Sequence, residues 1–299
     1  MVHYFEETEV RERLRVPDLI AAMRRVMMEF STGKWQQPLR GVLAQHGGFF
    51  GVMPASGESM GIKMVTYYPG NAGTALPTHM AVIALFDPRT GEPLALMDGR
   101  YITEMRTAAV SAVATDALAA GDAKVLTLIG AGVQARSHLE VLPHVRAFAE
   151  VRVWNRNWER AERFARENGI KAMPLEAAVR DADVVVTATS SHEPILKGEW
   201  LKKGAHVNAV GAARPHWREL DDAVMANVVV VDSYQGAQSE SGDVILSGST
   251  PYAELGEILN GSKPTPTNKT TVFKSLGMAV QDVATAKLVY DAAKWKTRE

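Results

Sequence analysis

The segment LTLIGAGVQARSHL spaces Gly130, Gly132 and Ala135 as G-x-G-x-x-A, after a run that reads as a strand and at the start of one that reads as a helix. Each position has a physical role in dinucleotide binding. Gly130 permits the tight turn, Gly132 lets the backbone approach a pyrophosphate, and Ala135 allows the helix to pack closely on the strand. The helix opening at Val133 and Gln134 presents unpaired N–H groups and a partial positive charge to phosphate. Thr187, closing the apolar part of DVVVTATS, is placed with this group. An NAD-selective site carries Asp or Glu about 20 residues further on, to hold the ribose 2′-hydroxyl. Here the stretch reads VWNRN, with Asn155 and Arg156 in that place. A neutral residue followed by a guanidinium suits a 2′-phosphate, so NADPH is expected, with NADH weaker. A solvated arginine at the start of a loop is the plain alternative.

Composition narrows the remaining chemistry. The chain has no cysteine, which removes disulfides, thiolate zinc sites and a cysteine nucleophile, and no H-E-x-x-H, P-loop or G-x-S-x-G pattern occurs. No metal is expected. Lys plus Arg number 33 against 34 Asp plus Glu, so no global field draws the protein to nucleic acid or an anionic membrane. No apolar run approaches the roughly 20 residues of a membrane helix. The amino terminus, MVHYFEETEVRERL, lacks the apolar stretch of a signal peptide, so a cytoplasmic location is expected.

Two kinds of element must position these groups. Up to about residue 118, FFGVMPA, IKMVTYY, HMAVIALFD and EPLALMDG read as strands, with GNAG and DPRTG as turns. Helices are expected over Asp18 to Phe30 and Thr103 to Leu118, the latter rich in small residues that allow close approach. From Lys124, short apolar runs (VLTLIG, VRVWN, DVVVTATS, HVNAVG, VVVVDS) alternate with helical stretches such as Trp158 to Asn168. Strands buried on both faces and separated by helices indicate a doubly wound parallel sheet of the Rossmann type. The expected fold is α/β, this Rossmann domain over 119–279 joined to a second, α+β domain over 1–118 with 280–299, to which a helix from Ser275 to Trp295 returns.

The pieces QPLR, FFGVMPA, KMVTYY, MDGRYITEMRTAAVSAVAT, IGAGVQARSH, VGAARPHWREL and ESGDVILSG, in this order, resemble the ornithine cyclodeaminase/mu-crystallin family. WNR, GEWLKKGAHVNAVGA, RPHWRELDD and KTTVFKSLGMAV look most like its mu-crystallin branch. That resemblance implies a substrate and dimerisation domain beside the Rossmann domain, a homodimer, and NADPH-linked reduction of a ketimine beside a carboxylate. Matching residues for substrate are Arg40, Lys63 and Arg106, with Thr78 and His79 near them. Two guanidinium groups can clamp a carboxylate while an ammonium stands beside the reacting carbon and nitrogen. Lys63 lies inside an otherwise apolar strand, where an unpaired ammonium is costly, so it needs a partner, and a bound carboxylate is one. Lys63 is the candidate to polarise or protonate the imine. His79 stands in reserve as a relay, although a lone histidine beside an apolar run is more often a hydrogen-bonded structural residue. Ser241 and Asp243 are expected on a loop after VVVVDS, near the ligand or shaping a turn.

One departure separates the chain from ornithine cyclodeaminases, which carry an acid/base Asp in the loop after the strand matching HVNAVG. Ala213 aligns there and cannot move a proton. The expected substrates are cyclic or N-alkyl imines, giving proline or pipecolate analogues. The rival readings are an alanine-dehydrogenase-like or cyclodeaminase enzyme of the same family, or a non-catalytic protein that binds a small, thyroid-hormone-like ligand or serves as a crystallin.

Overall fold

The computed structural model describes residues 2–296. The chain divides into two compact units, Met1–Arg106 with Met278–Glu299, and Thr107–Gly277. The boundary falls within the helix Arg100–Leu118.

The first unit is built on a six-stranded sheet in the order His3–Phe5, Pro93–Asp98, His79–Phe86, Met60–Tyr67, Gly48–Ser56, Gly41–Gln45. All its pairs are antiparallel except His3–Phe5 with Pro93–Asp98. Period-2 alternation sorts the side chains into two faces. Met53, Ala55, Val65, Ala81, Ile83, Ala95 and Met97 are buried; the helix Ala279–Lys296 packs on the three central strands, the helix Val16–Ser31 packs on that helix, and Glu7–Arg13 lies against Pro93–Asp98. Lys63 lies on this covered face, opposite Met53 and Ile83. The four long strands and the helix Val16–Ser31 follow the apolar patterns closely. The helix Ala279–Lys296 starts later than the sequence suggests. Asp232 Oδ2 accepts from Leu276 N at 2.7 Å and Gly277 N at 2.9 Å, and Gly277 has φ 79°, so the chain turns there before it coils.

The second unit holds an eight-stranded, wholly parallel sheet. Its order is Ala253–Glu254, Val228–Val231, Thr271–Lys274, His206–Ala209, Val184–Thr187, Val125–Ile129, Glu150–Trp154, Lys171–Ala172. Val185, Val207, Val229, Val231 and Val272 belong to one buried cluster with Ile129, Leu196 and Leu220. From Val125–Ile129 the chain winds outward one way and, from Val184–Thr187, the other. The point of reversal, at the carboxyl ends of those two strands, is where open α/β sheets bind ligands. The strand Thr271–Lys274 is not evident in the sequence, because Lys274 interrupts a very short apolar run.

Candidate functional site

In the first unit a buried charge cluster forms where strand meets helix. Lys63 is 2% exposed, and its Nζ lies 2.6 Å from Asp282 Oδ2. Asp282, fully buried in Ala279–Lys296, accepts at Oδ1 from Arg106 Nε at 2.9 Å. Arg106 Nη1 donates to Gln281 Oε1 at 3.0 Å. Gln37 Oε1 accepts from Val280 N at 3.1 Å, which ties the segment leading to Arg40 to the same helix start. Arg40, half-buried, is close enough for its charge to bear on Lys63. Thr78 O accepts from Tyr68 N at 2.8 Å, which seats His79 at the beginning of its strand.

The cluster corrects one expectation. Lys63's partner is a carboxylate of the protein itself, Asp282, a residue that sequence reasoning missed. An Asp inside the small and apolar helical stretch AVQDVATA was the available cue, since such a charge is buried only when paired. The arginine clamp is narrowed as well. Two N–H groups of Arg106 are held internally, and Nη2 alone makes no hydrogen bond among the described residues.

Burial strips water from Lys63 and lowers its pKa to about 8; Asp282 opposes the shift, while Arg106 and Arg40 add to it. Asp282 is held below the usual carboxylate range by Arg106 and Lys63, against the opposing effect of its own burial. His79 is depressed to about 4, first by burial and then by Lys63 and Arg106. It is therefore neutral at neutral pH and carries no imidazolium proton to donate.

In the second unit the glycine turn is built as the spacing suggested. Gly130 has φ 115°, and a Cβ there would lie 2.5 Å from Ala188 O. A Cβ at Gly132 would meet only Arg160 Nη2, at 3.8 Å, so that backbone is open to a ligand. Gly132 caps the helix Val133–Val141, in which Val133 is exposed and Ala135 buried. Gln134 Oε1 is buried without a hydrogen-bond partner among the described residues. Asn155 Oδ1 accepts from Ala131 N at 3.4 Å. Arg156 is exposed, with no hydrogen bond or ion pair among the described residues. These residues fit the phosphates and adenosine of a dinucleotide: an open backbone, a helix N-terminus and a cation with no carboxylate beside it.

Other expected site residues face inward. Thr187 is fully buried, and its hydroxyl donates to Glu219 Oε2 at 2.9 Å, which is at odds with a side-chain contact to cofactor. Ser241 is an N-cap rather than a loop residue, and Asp243 lies in the helix Gly242–Ser247. Asp243 pairs with fully buried Lys274 at 2.8 Å and accepts from Glu219 N and Leu220 N at 2.9 and 3.0 Å. Glu219 also accepts from Thr189 N and Oγ1, both at 2.7 Å, and burial raises its pKa. Lys274 donates to Gly211 O as well. This network secures the loop that carries Ala213 to the carboxyl edge of the sheet.

A parallel sheet with a glycine turn at its point of reversal places the protein among the dinucleotide-binding α/β proteins. Residues 1–297 match the ornithine cyclodeaminase/mu-crystallin family, and the chain belongs to it. It is 49% identical to ketimine reductase mu-crystallin of Mus musculus over 302 residues, covering 97% of this chain and 96% of that one. Thermococcus litoralis Δ1-pyrroline-2-carboxylate reductase, solved with NADH and L-proline, superposes with a TM-score of 0.93 at 37% identity over 99% of this chain and 98% of the other. An archaeal alanine dehydrogenase dimer with bound NAD gives 0.93 at 34% identity over 99% and 97%. Among the described residues no helix is long and apolar enough to cross a membrane.

Proposed function

We propose that this protein is an NADPH-dependent reductase of cyclic or N-alkyl ketimines that carry a carboxylate beside the C=N bond. The observation that carries the reading is the buried Lys63–Asp282–Arg106 cluster, a proton donor with lowered pKa held in place beside cations that suit a carboxylate. The relatives named above for ketimine and pyrroline-carboxylate reduction support it. Arg40 and the Nη2 edge of Arg106 receive the substrate carboxylate. Asp282 fixes Lys63 and Arg106, acting as a positioning residue. Lys63 Nζ gives a proton to the imine nitrogen and regains one from solvent. When bound, the dihydronicotinamide would supply a hydride to the imine carbon, and that hydride with the proton from Lys63 would convert the imine to a secondary amine. His79 is neutral at neutral pH, and a substrate carboxylate beside Arg106 offsets part of the charge that, after burial, depresses its pKa.

Gly130, Gly132, Val133, Gln134, Ala135, Asn155 and Arg156 would hold the cofactor. NADPH is preferred because no acidic residue stands where a 2′-phosphate would lie. A homodimer forms through the sheet of the first unit, in the cytoplasm. Support comes from its uncovered face, where Val52, Pro54, Ile62, Met64, Met80 and Val82 stay half-buried and Leu43 is 70% exposed. A contiguous apolar sheet face of this kind suits an interface, and the archaeal alanine dehydrogenase it resembles is a dimer.

The test is NADPH consumption with a five- or six-membered cyclic ketimine carboxylate, run beside pyruvate plus ammonia and beside ornithine with NADP⁺. Turnover on the ketimine alone is expected. Faster turnover of pyruvate with ammonia would make the protein an amino-acid dehydrogenase, and none on any substrate would favour a binding protein.

A further inference from the structure

Arg160 borders the glycine turn from the next helix. It lies in the first turn of the helix Trp158–Asn168, five positions beyond Asn155, and is exposed. Its backbone N–H is taken by the N-cap, Asn157 Oδ1, at 2.9 Å. Its side chain nevertheless folds back along the glycine turn. Nε donates to Ala131 O at 3.1 Å, the carbonyl between the two glycines, and Nη2 sits 3.8 Å from where a Cβ on Gly132 would be. Ala131 is thus held from two sides, its N–H by Asn155 and its carbonyl by Arg160. Neither Nη group makes a hydrogen bond or ion pair among the described residues.

We infer that Arg160 is a second cation for the 2′-phosphate of NADPH, acting together with Arg156; this rests on the cofactor reading above. Three observations converge. The position that an acidic residue occupies in NAD-selective sites is Asn155, so the 2′-substituent of the ribose lies beside it. The guanidinium is anchored through Nε next to that residue, so little side-chain freedom remains to be lost when an anion arrives. Its two Nη groups keep their donors for a phosphate, which accepts such charge-assisted bonds well. Arg156, by contrast, is unanchored, so the two arginines act in complementary ways, Arg160 preset at the turn and Arg156 closing from the loop.

The test uses Arg160→Gln, which keeps a donor for Ala131 O while removing the charge, and Arg160→Ala, which removes both. Binding of 2′-phospho-ADP-ribose and of ADP-ribose to the full chain is measured by calorimetry, and KM for NADPH and NADH in parallel. Arg160→Gln is expected to weaken 2′-phospho-ADP-ribose by about tenfold, the low end for a charged hydrogen bond at an exposed site, and to leave ADP-ribose unchanged. The weakening should diminish with added salt. Arg156→Ala combined with Arg160→Gln should abolish the discrimination. Equal loss for both ligands, or no loss for either, would overturn the inference and leave Arg160 as a structural clamp of the glycine turn. If the unaltered protein itself fails to favour the 2′-phosphorylated ligand, the NADPH preference falls first and the inference with it.

Discussion

Burial and the Asp282 carboxylate pull Lys63 in opposite directions, and burial prevails. With a pKa near 8, the ammonium is a stronger acid than an ordinary lysine yet is still mostly protonated at neutral pH. Since the acidic form is the one required, kcat/KM for ketimine reduction should be flat below that pKa and fall as pH rises through about 8. Lys63→Met keeps the length and removes the proton; it should lower the rate by about a hundredfold or more, with NADPH titrating as before. Within a few-fold of the parent rate, Lys63 would be a bystander. Asp282→Asn takes away the anion that holds the Lys63 proton, so the falling limb should move to lower pH. It also leaves two buried cations facing each other, at a cost of about 3 to 5 kcal/mol in a denaturant melt. An unmoved limb would show that Asp282 only braces the helix. The sequence exposes Lys63 as a charge among apolar neighbours, but its partner lies far along the chain, and only the packing of helix on sheet brings Asp282 to it.

At the scale of elements, legibility follows the strength of the pattern. Strands with one face covered alternate visibly, so Gly48–Ser56, Met60–Tyr67 and His79–Phe86 can be read almost to their ends. The edge strand Gly41–Gln45 is exposed throughout and offers no alternation to read. The short helix Glu7–Arg13 carries a subtler cue, the Glu6 and Glu9 capping box. The glycine turn is the most legible element because its residues answer to backbone geometry alone. Gly130→Ala is the corresponding test. At φ 115° with a carbonyl oxygen 2.5 Å from the new Cβ, either the turn or the strand end at Ala188 must shift. We expect a loss of about 1 to 3 kcal/mol in thermal stability. NADPH and NADH should weaken together, unlike the selective loss expected at Arg160. Unchanged cofactor titration would show that the turn does not meet the ligand.

For the whole molecule, assembly and reaction choice each follow from a surface or a loop. Val82→Lys, central on the uncovered sheet face, should convert a dimer to a monomer in light scattering, since an unpaired ammonium has no place in an apolar interface. A dimer that survives this change uses another surface. Reaction choice turns on Ala213. Cyclodeamination of ornithine must oxidise an amine, expel ammonia by internal attack and return the hydride, and the middle steps need a group that both gives and takes protons. The carboxylates around that loop are already engaged: Asp243 with Lys274 and two backbone N–H groups, Glu219 with Thr187 and Thr189. Both are fully buried, so neither replaces the missing acid/base. Its absence should hold ornithine turnover about a hundredfold to ten-thousandfold below ketimine reduction, the usual contribution of such a group. Ketimine reduction skips those steps and draws its one proton from Lys63. Incubation with ornithine and NADP⁺, assayed for proline and ammonia, decides the matter. Efficient proline formation would mean that some carboxylate outside this loop reaches the substrate, whereas an Ala213→Asp variant that gains the activity would place the missing function at this residue.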